Sequence, residues 1–198
     1  MTPVRTRFFA PVRVRAVAVM ALLGAAIAAC DDPFKPKADT ENSIQSFTVY
    51  ALSGTPPNSP AALSFPGRSL VRVTGALEFD IAFDLDSAGR VVYLPVGLVA
   101  ASPSGARPIG MQRVSGTFTE LTEAPRTGYV FDSALVAPRG QLVAIQASES
   151  FCSLSLTPYI FAKVVVDSID ARNRSLSGHL LVNLNCGFRS LTPGLPGF

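Results

Sequence analysis

Beyond residue 43 the chain is a succession of short apolar runs rich in Val, Phe, Leu and Thr, broken by Gly, Pro, Asn and Ser, with hardly any helical spacing. This pattern predicts strands near 45–52, 69–75, 76–85, 90–100, 108–115, 129–136, 141–148, 158–168 and 175–185. Ser53 to Gly67 holds four prolines and reads as a loop. Thr117-Phe118-Thr119-Glu120 fits a capping box, which predicts one helical turn near 118–123, ended by Ala124-Pro125. About eight to nine short strands at this spacing point to an all-β fold, an antiparallel β-sandwich or partly open barrel.

Two hairpin turns share a pattern: Asp86-Ser87-Ala88-Gly89-Arg90 and Asp170-Ala171-Arg172-Asn173-Arg174. Asp86 and Asp170 can accept backbone N–H bonds within the turn, while Gly89 and Asn173 tolerate the left-handed conformation of a bulged hairpin. Pairing Asp170 with Arg174 sets Val166 beside Gly178, Val164 beside Leu180, Ala162 beside Val182 and Ile160 beside Leu184. That face is wholly apolar, and a one-residue slip would mix it. The opposite face pairs Asp167 with Ser177, Val165 with His179 and Lys163 with Leu181, and is mixed. In the first hairpin Leu77, Phe79, Ile81, Phe83 and Leu85 alternate with Glu78, Asp80, Ala82, Asp84 and Asp86, whereas Val91 to Val99 is apolar on both faces. A half-exposed strand beside a doubly covered one is expected.

The N-terminus follows different rules. Arg5, Arg7, Arg13 and Arg15 precede an apolar run from Ala16 to Ala29, and no acidic residue does. A membrane-spanning helix needs about 20 apolar residues, so this run is short for a permanent span and reads as a secretory signal helix. Ile27-Ala28-Ala29-Cys30 resembles the lipobox of bacterial lipoproteins. The resemblance covers residues 1–30 and implies lipidation of the Cys30 thiol, cleavage before it and acylation of the new amino group. The alternatives are a signal cut before an unmodified Cys30, or an uncleaved anchor. Two or three acyl chains on one residue would hold a protein durably at a membrane. Asp31 and Asp32 resemble an inner-membrane retention signal of some double-membrane bacteria; lineages differ in that rule, so inner and outer membrane both stay open. The expected organisation is therefore a removed signal, 1–29; a lipidated tether, 30–43; one domain, 44–190; and a loose tail, 191–198.

This assignment changes how charge and cysteine content are read. The sequence pI of about 9.0 owes much to the signal. Four of the 17 basic residues lie in it, which leaves 13 against 14 acidic ones. No basic cluster remains to attract nucleic acid. With Cys30 committed, Cys152 and Cys186 remain, and in an oxidising envelope such a pair reads as a disulfide. Two buried free thiols or half of a metal site are the competing readings, and the single histidine weighs against the metal. Closing a loop of 34 residues would restrict the unfolded chain by about 4 kcal/mol in the entropy account.

Candidate chemistry is sparse. Asp84-x-Asp86-x-x-Gly89 opens like a calcium loop, but Ala88 and Pro95 stand where ligands belong, so Asp84 and Asp86 are weak metal candidates and a solvated face is the plainer reading. His179 reads as a surface residue. No Gly-x-Ser-x-Gly elbow, phosphate loop, dinucleotide fingerprint or HExxH occurs. Tyr159-Ile160-Phe161-Ala162-Lys163 is similar to strands of lipid-anchored all-β envelope proteins, some of which bind haem through His pairs. This chain has one His, and the stretch reads as a strand with Lys163 exposed. The expectation is a non-catalytic, lipid-anchored binding or interaction module of the bacterial envelope with no cofactor. It would meet the membrane through Cys30 and an envelope protein, glycan or small ligand through its domain. A carrier holding an apolar ligand between the sheets is the alternative, with an enzyme behind it.

Overall fold

The computed structural model describes residues 36–73, 78–99, 107–155 and 157–197. Cys30, the signal and the first tether residues lie outside these, as do residues 74–77 and 100 of the expected strands. Among the described residues eleven strands form two antiparallel sheets, as the alternating pattern led us to expect. They are β1 (Ile44–Tyr50), β2 (Ala62–Ser64), β3 (Ser69–Val71), β4 (Ile81–Leu85), β5 (Val91–Pro95), β6 (Ile109–Val114), β7 (Val130–Phe131), β8 (Leu135–Ala137), β9 (Leu142–Ser148), β10 (Tyr159–Asp170) and β11 (Ser175–Asn183). One sheet runs β1-β11-β10-β9-β6-β7, the other β3-β2-β4-β5-β8. The architecture is a sandwich rather than a closed barrel.

Four differences from the sequence expectation have local causes. The insert 53–67 contributes β2, which lies between β3 and β4. The run 129–136 splits into β7 and β8 in different sheets, because Asp132 adopts a positive φ of 49° and turns the chain. The run 90–100 stops as a strand at Pro95 and continues as one helical turn, Val96–Val99. The relation of β4 to β5 is reversed. β4 is central in its sheet and nearly all buried, whereas β5 alternates buried and half-buried positions.

The β10–β11 hairpin has the expected core register: Val166 opposes Gly178, Val164 Leu180 and Ala162 Val182. It reaches that register by another route. Asp170 pairs with Ser175, Ser168 with Ser177, and a bulge at Asp167 restores the alignment. The left-handed residue of this turn is Arg174, φ 51°, rather than Asn173. Gly178 is required beside the bulge, since an added Cβ would lie 1.9 Å from the Val165 carbonyl oxygen. The ladder ends at Phe161–Asn183, so Ile160 and Leu184 are not paired. In the first turn Gly89 does take positive φ, 73°, and Asp86 accepts the Ala88 and Arg90 amides.

One continuous core fills the space between the sheets. Phe47, Val49, Leu63, Phe65, Ile81, Phe83, Tyr93, Ile145, Ile160, Val164 and Leu180 all belong to it. The Phe83 ring lies 5.6 Å from Phe47 and 5.2 Å from Tyr93, centroid to centroid, so three aromatic rings pack together in this core. A smaller cluster lies on the outer face of the six-stranded sheet, where Phe161 and Leu181 are covered by Ala124 and Leu191, with Phe118, Leu121 and Tyr129 packed around them.

The segments 39–42 and 183–194 are built into the domain. Asn185 accepts the Asp39 and Thr40 amides at 2.9 and 3.1 Å and donates to the Thr40 carbonyl. Asn183, fully buried, accepts from Asn185 and donates to the carbonyls of Phe188 and Ser190. Asn42 and Gly194 exchange backbone hydrogen bonds at 2.9 Å, so residues 39–42 of the expected tether and 191–194 of the expected tail are part of the fold. Cys186 follows this knot and forms the disulfide with Cys152, with the Cα atoms 5.5 Å apart.

Candidate functional site

The outer face of the six-stranded sheet carries Lys163 and Phe161 on β10, Ser177, His179 and Leu181 on β11, and Ser46 and Thr48 on β1. The segment 117–129 covers part of it. Its first turn forms because Glu120 accepts the Thr117 amide at 2.7 Å while the Glu120 and Leu121 amides reach back to the Thr117 carbonyl. This turn carries the Glu120 half of the expected capping box; the Thr117 hydroxyl lies 3.3 Å from that of Thr119 instead of on the Glu120 amide, and the turn covers 118–120 rather than 118–123.

Lys163, expected at the surface, is buried beneath that segment. Its ammonium donates to the Phe118 and Leu121 carbonyls at 2.5 and 2.9 Å and lies 4.4 Å from the Phe118 ring centre. Burial holds the amine below the usual lysine range. The cause of the difference is the cover: strand alternation places Lys163 on the outer face, but that face is not solvent there.

Where the cover ends, the sheet is open. The bulge turns Asp167 toward His179, whose Nδ1 lies 2.6 Å from the Asp167 Oδ2. Both side chains are about half exposed. A carboxylate against Nδ1 fixes the ring and directs Nε2 away from it. Ser46 is the register partner of His179 across β1 and β11, and the Thr48 and Ser177 hydroxyls bond each other at 2.8 Å. These residues and Leu70 line a hollow of about 430 Å³. A second hollow, about 380 Å³, shares Ser46 and Leu70 and adds Arg68. The surface offers hydroxyls, an oriented imidazole and a carboxylate beside a small apolar patch, a set suited to holding a polar ligand by several hydrogen bonds.

A second cluster joins the two sheets at one end. Asp80 is fully buried and accepts the Phe65 amide at 2.6 Å and an Arg107 N–H at 2.5 Å. Glu149, also buried, approaches the Arg107 Nε at 3.4 Å, an ion pair without a good hydrogen bond. Burial pushes the Asp80 carboxyl up despite the Arg107 charge. Burial and the Asp80 charge together push Glu149 up to about 7. Glu78 is exposed, so the expected shared acidic face breaks at Asp80. Nothing in the sequence marks Arg107 and Glu149 as partners of Asp80.

The remaining sequence candidates are held by internal partners. Asp84 accepts from the Ser53 hydroxyl at 2.7 Å and pairs with Arg174 at 3.2 Å. Asp86 pairs with Arg90, and Asp170 accepts the Arg172 and Asn173 amides and the Asn173 side chain. Those amide bonds hold both turn carboxyls below their usual range. Among the described residues no group of three or more His, Cys, Asp or Glu is arranged to hold a metal ion. Comparison with protein-family models, curated proteins and solved structures gives no match.

The raised carboxyls carry a pH dependence. Glu149 moves from 4.5 to about 7 on folding, so between those values the folded protein binds more protons than the unfolded chain, and stability falls as pH rises through the window. Asp80 acts with the same sign. Thermal melts at about pH 5 and about pH 8 should show Glu149→Gln gaining on the wild type at the higher pH. A wild type that gains on the variant as pH rises contradicts the assignment.

Proposed function

We propose that this chain is a lipid-anchored, non-catalytic binding module of a bacterial envelope that meets a polar, hydroxyl-bearing ligand such as a glycan at the open face around His179. The observation that carries the recognition half is the Asp167 bulge. It interrupts a regular twelve-residue strand and turns a carboxylate onto the chain's only histidine, within a hydroxyl-lined hollow. Bulges re-aim side chains in this way next to binding and active sites. The anchoring half rests on the lipobox resemblance at Ile27-Ala28-Ala29-Cys30. The Cys152–Cys186 disulfide fits an oxidising compartment.

Two measurements test the two halves separately. Cells fed labelled palmitate should mark the wild-type protein and leave Cys30→Ser unmarked; equal labelling ends the lipoprotein reading. A photo-crosslinking residue at Ser46 of the full-length protein should trap one reproducible glycan-containing species in intact cells, and His179→Ala should reduce that adduct at least about tenfold, the loss of about 1.4 kcal/mol. An adduct pattern identical to that from a crosslinker at Ala171, on the second hairpin turn, contradicts the recognition site.

A further inference from the structure

The two ends of the sandwich differ in chemistry. Strand registers place Ile44 opposite Leu181, Tyr159 opposite Ser148 and Ile109 opposite Ala147, so one end gathers the starts of β1, β6 and β10 and the finish of β9. The chain enters the domain there, where Asp39, Thr40 and Asn42 are bonded to Asn185 and Gly194. The disulfide lies one residue from Asn185 and ties in the loop after β9. That loop is wound tightly, with the Cys152, Ser153 and Ser155 amides bonded to the carbonyls of Glu149, Ser150 and Cys152 at 2.9–3.1 Å. Its residues Ser150 to Ser155 carry no charge. The loop holds Phe151 52% exposed and Leu154 100% exposed, and Leu195, next to Gly194, is 59% exposed.

The other end is polar. It carries the turns Asp86–Arg90 and Asp170–Arg174 and the connection Pro138-Arg139-Gly140, with Asp, Arg and Asn exposed or half exposed. The twelve residues of β10 separate the ends by about 36 Å.

We propose that the end bearing Phe151, Leu154 and Leu195 lies against the bilayer, with these side chains entering the headgroup boundary. This rests on the reading of Cys30 as the lipidated residue. Nine residue steps join Cys30 to Asp39 and span at most about 30 Å, so a lipid on Cys30 keeps this end near the membrane. The loop tips at the end where the chain enters are apolar and uncharged, with exposed Asp39 and Glu41 on the entering segment beside them, whereas the turns at the other end carry charge on their tips. Lipid chains at Cys30 and an apolar loop pinned by a disulfide supply two membrane contacts from one end, the combination that gives a protein a fixed orientation as well as an anchor. The face around His179 is then held along the side of the domain and stays open to the envelope space.

The chain contains no Trp, so one introduced indole reports on its own position. Leu154→Trp and Ala171→Trp, each in the full-length protein purified with its lipid, would be reconstituted in phosphatidylethanolamine–phosphatidylglycerol vesicles with and without brominated acyl chains. With palmitate label present, the Leu154→Trp emission should shift to the blue and fall at least about twofold on bromination, as for a ring about 5–10 Å into the boundary, while Ala171→Trp stays unquenched. Equal quenching at both positions, or at neither, in labelled protein overturns the orientation and leaves the anchor standing. Absence of label in the wild-type chain overturns the anchor and the orientation together.

Discussion

The shared apolar core holds the two sheets face to face, and at one end of the six-stranded sheet residues 183–186 tie together the entering segment, the loop after β9 and the stretch that follows β11. Asn183 and Asn185 are buried amides whose donors and acceptors must be met. They are met by each other, by the entering chain at Asp39 and Thr40, and by the carbonyls of Phe188 and Ser190. Cys186 then fixes the loop after β9 covalently. Removal of Asn185 would leave the Asp39 and Thr40 backbone groups without these partners, and removal of Asn183 would orphan the Phe188 and Ser190 carbonyls, a buried unpaired group costing about 1–3 kcal/mol. Residues 39 and 40 are thereby joined to the disulfide-linked end of the domain.

Arginine links the two sheets to each other at both ends. Arg107, just before β6, reaches Asp80 before β4 and Glu149 after β9; at the opposite end Arg174 reaches across to Asp84 and the Ser53 carbonyl. The two joints differ in burial and therefore in character. Asp84 and Arg174 retain contact with water, and their pairing is weakly felt. Asp80 and Glu149 are almost wholly desolvated around one guanidinium, and burial outweighs the Arg107 charge at both carboxyls. The end that holds Asp80 and Glu149 thus responds to pH near neutrality, whereas the Asp84–Arg174 joint keeps its contact with water.

Much of the fold was legible because sheets obey a short period. The pairing of Val164 with Leu180 follows from alternation and from one turn, and Gly178 fits because the bulge brings backbone against it. What was not legible depends on distant segments. Lys163 alternates correctly onto the outer face, yet the carbonyls that bury it lie 42 and 45 residues away in sequence, in a stretch without strand pattern. Asp80 looked like one of a row of solvated carboxylates because its partners, Arg107 and Glu149, carry no periodic signal. The Asp167–His179 pair was hidden for the opposite reason: the expected turn made the register regular, and the regular register placed Asp167 beside Ser177. The bulge that creates the site is a local departure from the rule that made the hairpin readable.

These parts make one sandwich, tied at the end where residues 39–42 enter it, with an open polar face along its side. Its central feature is that residues 39–42 and 191–194 belong to the folded tie rather than to a loose tether and tail. Amide hydrogen exchange on the full-length protein tests that claim most directly. The Asp39, Thr40, Asn42 and Gly194 amides should be protected to a degree comparable with β11, because each is bonded inside the knot. Exchange of those four amides at the rate of an unstructured chain, with β11 protected, would contradict it.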